Sequence, residues 1–326
     1  MNGAHLLADV GGTYARFATR GGPRNGPEAY AGVSRYRVAD HPSLADAAER
    51  YLDTFAAQDR PQSAVIAVAS AVNGDIVQFS NSAWRFSIRE LRERLRLQQV
   101  RVINDFAAIA WSLPALEPAD LARIGGGRDP QFGSEQVHLV VGPGTGLGLS
   151  AVKRTAHGPV ILDSEGGHLG FAPRGDLERD LHQRLSRVFG RVSYERVLSG
   201  SGLVNVYGAL ADIHDREATL DAPDQVTHAA RQGDALALQT VQCFCSVLGS
   251  FAGDAVLAFG GWDGLYLAGE MLNYVLDPAT EALFRESFED KGRFSETLRQ
   301  VPTMRILRSD VGLLGASNLS RTVEAW

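Results

Sequence analysis

The sequence predicts an α/β protein in two domains, and three observations carry that expectation. Apolar strand-like runs alternate with amphipathic helical patterns along most of the 326 residues, the order of elements that packs helices against sheets. Two segments, LLADVGGTYARFAT from Leu6 and HLVVGPGTGLGLSAV from His138, both read apolar strand, glycine/threonine turn, apolar strand. A stretch rich in proline and glycine with little periodicity, Leu113 to Gln136, lies between them and marks a boundary. The expected division is a small α/β domain over residues 1–112 and a larger one over 113–303. The paired hairpins, about 130 residues apart, suggest a duplicated fold whose halves face one ligand across a cleft; chance similarity of two hairpins is the alternative.

Each element has its own signal. Leu6 to Val10 and Ala15 to Thr19 make the first hairpin, and a Gly/Pro-rich loop from Arg20 to Pro27 follows. Leu44, Ala47, Ala48, Tyr51, Leu52 and Phe55 recur at helical spacing behind the start signals Pro42 and Ser43. Ser63 to Ala71 is the continuous apolar run of a buried strand. Asp75 to Phe79 reads as a short strand, Ser87 to Leu97 as a charged amphipathic helix, and Val100 to Ile103 as a strand ending at Asn104-Asp105. In the second domain Val137 to Val141 is a strand, followed by the glycine loop Gly142 to Gly148 and an apolar run to Val152. Helical patterns dominate from Asp176 to Phe259; Leu265 to Ala268 and Met304 to Leu307 read as strands and Gly312 to Val323 as a helix.

Composition narrows the function. Lys plus Arg number 32 against 38 Asp plus Glu, a net charge of -6, so no long basic surface is left for nucleic acid. Glycine is the outlier, 35 residues where usage of roughly 7% is typical. The excess points to tight turns or ligand-cradling loops. Cys243 and Cys245 fall on roughly opposite faces of a helical segment, which suits buried thiols in a reducing compartment. Asp9 interrupts the first apolar run and no Lys or Arg precedes it, so a secretory signal is not expected and the chain is expected in the cytoplasm. Cys243 to Gly261 is apolar, yet it holds Asp254 and four glycines. A central Asp costs about 2.5 to 3.5 kcal/mol in a membrane helix, so a buried helix, not a membrane span, is expected.

Neither glycine loop is a P-loop or a Rossmann turn, because no Gly-Lys-Ser/Thr follows and a strand pattern comes next. What remains, unless each is an ordinary hairpin, is a turn whose bare amides and threonine hydroxyl can point at oxyanions; two such turns can clamp one polyphosphate. Asp9 adds a carboxylate that can order magnesium through water. Asn104 and Asp105 stand at a strand end, where ligand sites of open α/β sheets cluster, or they form an Asx turn or helix cap. Phosphoryl transfer to an alcohol needs a carboxylate beside the hydroxyl, and Asp105 is the candidate base. Glu165-Gly166-Gly167-His168 reads as a glycine-rich loop bringing Glu and His to a polar ligand, the glycines opposing a helix. Glu195 stands just ahead of a Ser199-Gly200-Ser201-Gly202 turn and alone reads as a helix-surface carboxylate. No nucleophile elbow or Cys-His arrangement suited to nucleophilic catalysis is found.

DVGGT-AR, INDF, GTGLG, EGGH, ERVLSG-GLVN, FEDKGRF and GLLGA, in this order from about Leu6 to about Leu319, resemble the bacterial glucokinase family of the non-ROK type. The resemblance implies the actin-like, ribonuclease-H-type ATPase fold, two α/β domains with a cleft between them and the C-terminal segment 304–326 returning to the small one. It implies a homodimer that phosphorylates glucose at its 6-hydroxyl with Mg-ATP. Carried over residue by residue, it makes Asp105 the catalytic base and Asn104, Glu165, His168 and Glu195 the ligands of the sugar hydroxyls. The nucleotide phosphates would lie on Ala8, Asp9, Val10, Gly11, Gly12 and Thr13 and on Gly144, Thr145 and Gly146, with Gly269 in the adenosine region. The zinc motif of ROK kinases is missing. Three departures stand out: Ala8 where the family usually has Gly, Tyr14 where it has Asn, and Glu270 after Ala268-Gly269 where it has Gly. Kinases of other hexoses, a non-catalytic sugar-binding regulator and a filament-forming relative are the competing functions.

Overall fold

The computed structural model describes residues 4–21, 30–79 and 84–323. The loop expected from Arg20 to Pro27 therefore lies, beyond Gly21, outside the described residues. The chain divides into two compact units, Met1–Glu117 with Arg308–Trp326, and Pro118–Leu307.

In the first unit the described elements are β1 (His5–Val10), β2 (Tyr14–Arg20), β3 (Ala31–Arg37), α1 (Leu44–Leu52), β4 (Ser63–Val68), β5 (Ile76–Gln78), β6 (Arg85–Ser87), α2 (Ile88–Arg94), β7 (Gln99–Asn104) and α3 (Asp105–Ser112). The second unit holds β8 (Leu121–Arg123), β9 (Val137–Pro143), β10 (Leu147–Thr155), β11 (Gly158–Ser164), α4 (Gly175–Phe189), α5 (Gly200–Ile213), α6 (Pro223–Arg231), α7 (Ala235–Phe259), β12 (Gly264–Leu267), α8 (Leu272–Val275), α9 (Pro278–Glu289), α10 (Ser295–Gln300) and β13 (Thr303–Ile306). The chain then closes with α11 (Val311–Val323) in the first unit.

The suspected duplication is visible in the sheets. The first has strand order β3-β2-β1-β4-β7 and the second β11-β10-β9-β12-β13-β8. In each, an antiparallel three-strand meander is followed by two strands parallel to its first member, and only the edge strand β8 is extra. Each unit has its own apolar core. In the first, Leu44, Ala47, Ala48, Tyr51 and Leu52 of α1 pack toward β-strand residues such as Phe17 and Ile66. The helix starts where Ser43 accepts a hydrogen bond from the Asp46 amide, 3.2 Å away. In the second, α7 is long and apolar enough to cross a membrane, but 72% of its apolar window is buried inside the unit, as expected of a core helix. Cys243 and Cys245 are buried free thiols on it. They lie on different faces and are both covered because the helix is central, and burial pushes the Cys243 thiol up to about 12.

Two of the boundaries differ from expectation. The turn Leu113–Ala115 stays with α3, and the cut falls at 117/118 instead of 112/113. Met304 to Leu307 does not return to the small unit, because β13 pairs with β12 on one side and β8 on the other; only residues from Arg308 onward return. Close backbone approach fixes that return: a Cβ on Gly315 of α11 would fall 1.6 Å from the Ala108 carbonyl oxygen of α3.

Candidate active site

In the first unit β1, β4 and β7 run parallel, with Val10, Val68 and Asn104 level with one another. The first glycine turn and the Asn104-Asp105 pair therefore leave the sheet at the same edge, two strand spacings or about 10 Å apart. Ala8 and Val10 have fully buried side chains in the core, so only their backbone is available to a ligand. In the turn itself the Gly11 amide donates to the Tyr14 carbonyl at 2.9 Å and the Thr13 carbonyl accepts from Val38 at 2.9 Å. No backbone hydrogen bond from the Gly12 or Thr13 amide is seen among the described residues, and the Thr13 side chain is exposed, so these groups could meet an oxyanion.

Asp9 pairs with Arg16 across the hairpin at 3.1 Å. Burial raises its carboxyl above the ordinary range, Arg16 opposes that, and the charge of Asp310 adds to it. Gly312, at the start of α11, is pressed onto this group: a Cβ there would lie 2.8 Å from the Asp9 carboxyl carbon. Among the described residues no group of three His, Cys, Asp or Glu side chains could hold a metal ion. One carboxylate at the base of a glycine turn, even paired to Arg16, still fits magnesium, which is commonly held by one or two carboxylates together with waters and substrate phosphates.

Asn104 is the N-cap of α3. Its Oδ1 accepts from Phe106 at 2.8 Å and Ala107 at 3.3 Å, and its Nδ2 donates to the Ser70 carbonyl at 3.2 Å. The cap reading of this pair is thus correct for Asn104. Asp105 is the first residue of α3, half-buried, with Oδ1 accepting from Phe106 at 2.9 Å.

In the second unit the same edge gathers the remaining candidates. Leu149 of β10 is level with Ser164 of β11, so Glu165 emerges beside the second glycine turn. Gly166–His168 is one turn of 3-10 helix, not an open loop. The glycines serve packing: a Cβ on Gly167 would sit 2.2 Å from the Leu147 carbonyl oxygen, and one on Gly166 would sit 2.3 Å from the Leu149 side chain. Glu165 and His168 stay exposed at either end of this turn.

Glu195 is not on a helix surface. It lies in the 3-10 turn Tyr194–Arg196, its Oε2 accepts from the Leu147 amide at 2.9 Å, and its Oε1 is 4.0 Å from His168 Nδ1. Gly146 makes room for it, since a Cβ there would be 2.5 Å from Oε2. The Ser199 to Gly202 segment is the first turn of α5 with its cap: the Ser199 hydroxyl accepts from Gly202 at 2.9 Å and donates to the Glu195 carbonyl at 2.8 Å. Gly200 donates to the Gly144 carbonyl at 2.8 Å, which docks α5 onto the glycine turn. Thr145 is exposed at the turn's tip. Gly269, at φ +121, has no room for a Cβ, which would meet the Pro143 carbonyl oxygen at 2.6 Å. Glu270 precedes α8, a single helical turn.

Sequence reasoning missed Arg16 as the partner of Asp9, and Gly312 and Asp310 as its neighbours. The two-residue alternation of Asp9, Gly11 and of Tyr14, Arg16 across a predicted hairpin would have located the arginine; nothing local could have located α11.

A family model described as Glucokinase matches residues 6–323. The chain is 38% identical over 322 residues to a glucokinase of Stenotrophomonas maltophilia (strain K279a), covering 98% of this chain and 95% of that protein. It is 41% identical over 318 residues to a bifunctional protein glk of Burkholderia lata, covering 97% of this chain but 48% of that one, about half its length. Among solved structures, a glucokinase from an Antarctic psychrotroph has a TM-score of 0.85 at 33% identity, covering 99% of this chain and 100% of that one. A ROK family glucokinase from Streptomyces griseus, in complex with glucose and AMPPNP, has a TM-score of 0.66 at 20% identity, covering 98% and 100%, and shares the fold.

Proposed function

The chain belongs to the glucokinase family and is an ATP-dependent glucose kinase with the actin-like ATPase fold, and we propose how its residues divide the work. Asp105 accepts the proton of the glucose 6-hydroxyl as that oxygen bonds to the γ-phosphorus and the bond to ADP breaks, giving glucose 6-phosphate. Asn104, Glu165, His168 and Glu195 bind the other sugar hydroxyls. Asn104 has its oxygen committed to capping α3, so it contributes through its amide nitrogen. The amides of Gly12, Thr13, Thr145 and Gly146 hold phosphate oxygens, and Gly269 keeps the adenosine region free of side chain. Asp9 would hold magnesium, which when bound would neutralise charge on the donor phosphates. A homodimer working in the cytoplasm completes the proposal and rests on the family alone.

The observation that supports the residue assignment is the shared edge in each unit: a glycine turn and a carboxylate leave the same end of the same sheet, Asp105 in the first and Glu165 in the second. The test is ADP release coupled to product identification, across glucose, mannose, glucosamine and no sugar. Release that depends on glucose and yields the 6-phosphate supports it. ATP hydrolysis without sugar phosphate, or preference for another hexose, overturns the assignment to glucose.

A further inference from the structure

Beside the first glycine turn the sheet carries a row of guanidinium groups that the mechanism above does not use. Asp9, Arg16 and Arg35 are directly paired across β1, β2 and β3, so all three project from one face. The next pair toward the turn on that face is Tyr14 with Arg37. Arg16 is neutralised by Asp9. Arg35 and Arg37 are exposed, and among the described residues neither is ion-paired to a carboxylate. The Arg35 guanidinium carbon sits 3.4 Å from the centroid of the Tyr14 ring, and the Val38 amide ties the end of β3 to the Thr13 carbonyl.

Tyr14 is the residue that departs from the resemblance beside the phosphate turn. Its ring is the platform on which Arg35 lies. A guanidinium stacked on an aromatic face keeps its in-plane N–H donors for anionic oxygens and loses less freedom when they bind. Two unneutralised guanidiniums next to bare turn amides suit a chain of phosphates, and they offer nothing specific to a neutral sugar.

We propose that Arg35, held by Tyr14, and Arg37 are donor-binding residues that grip the phosphate chain of the nucleoside triphosphate outside the Gly11–Thr13 turn. The proposal rests on the reading of that turn as a phosphate site. Arg35→Gln should raise the ATP KM about tenfold, leave the glucose KM within about twofold, and flatten the rise of the ATP KM with ionic strength. Tyr14→Asn should reproduce part of this and Tyr14→Phe almost none, because the ring is kept. Inorganic tripolyphosphate, competing with ATP, should lose affinity in parallel with the ATP KM. If the Arg35→Gln, Arg37→Gln double variant leaves both the ATP KM and tripolyphosphate inhibition unchanged, the proposal falls. Thr13→Val separates the two failures: an ATP KM raised by Thr13→Val but not by the double variant overturns the arginines alone, whereas an ATP KM indifferent to both overturns the turn as well.

Discussion

The two glycine-turn hairpins occupy equivalent places in equivalent sheets, yet different chemistry stands behind them. Gly11–Thr13 is backed by charge: the half-buried Asp9–Arg16 pair, the nearby Asp310, and the side-chain-free start of α11 at Gly312. Gly144–Gly146 is backed by position, since Leu147 donates to Glu195, Gly200 donates to Gly144, and Gly269 abuts Pro143. A duplicated hairpin thus fixes the backbone geometry, while the segments packed on it decide what each copy is coupled to. The first turn is coupled to the C-terminal return of the chain and the second to the residues assigned to the sugar.

The largest effect should come from the end of β7, where Asp105 follows directly, whereas its counterpart β13 is followed by Leu307. Asp105→Asn removes the base without disturbing the Asn104 cap, so turnover should fall by roughly 10² to 10⁴ while glucose binding by calorimetry persists. Full activity in this variant would remove Asp105 from the mechanism. Next in size is the contrast within the second turn. Gly146→Ala drives a methyl group into Glu195, whose carboxylate must swing off the Leu147 amide, and the glucose KM should rise about tenfold. Gly144→Ala meets nothing within 4 Å and should leave the glucose KM within about twofold. Equal glucose KM values for the two variants would break the coupling of this turn to the sugar.

How far this was legible in the sequence follows the range of the interactions. Buried strands such as His5–Val10 and Ser63–Val68, and α1 behind its Ser43 cap, are written in local apolar patterns and were readable. Strand β3 was not, because at the sheet edge Gly32, Ser34, Arg35 and Arg37 break any apolar alternation. Strands β6 and β8 have three residues each, too few for a period. The candidate carboxylates were recognisable as chemistry, but the bond from Leu147 to Glu195 spans 48 residues, beyond any spacing rule. Gly312 and Gly315 were visible as a GLLGA motif; that one faces Asp9 and the other Ala108 is known only from packing.

The first turn can be tested through stability. Because burial raises the Asp9 carboxyl, the folded protein holds that proton more tightly than the unfolded chain does. The bound proton therefore stabilises the fold fully below the ordinary value of 3.8, and this contribution is lost as pH rises through the raised folded pKa. At neutral pH the charge at Asp9 works against the fold. Asp9→Asn should accordingly raise the Tm at pH 7 while lowering activity, and the gain should shrink toward zero as the pH approaches 3.8. Melting curves at several pH values check this, and a Tm lowered at pH 7 would mean that the Arg16 pair outweighs desolvation. No corresponding gain is expected from Glu195→Gln in the second turn, where the carboxylate is bonded to a backbone amide.

The smallest effect isolates the neighbour that links Asp9 to the returning chain. Burial would raise the Asp310 carboxyl, but hydrogen bonds from Tyr30 and Arg308 outweigh it and hold the group below the usual range, so it is ionised throughout the window in which Asp9 titrates. Its charge disfavours a second negative charge on Asp9. Asp310→Asn removes that repulsion, which lets the Asp9 pKa fall and makes the Asp9 charge easier to carry in the folded state. The Tm gain of Asp9→Asn at pH 7 should therefore be smaller in the Asp310→Asn background than in the parent. Asp310→Asn also weakens its own bonds to Tyr30 and Arg308, so only the double-mutant cycle is informative, since those losses appear on both sides and cancel. A coupling of about 0.5 kcal/mol, the low end for residues in one charged network, is expected, and it should fade as added salt screens the pair. A cycle that closes to zero at low salt would detach the first turn from the C-terminal return, and the two hairpins would then differ only in what touches them.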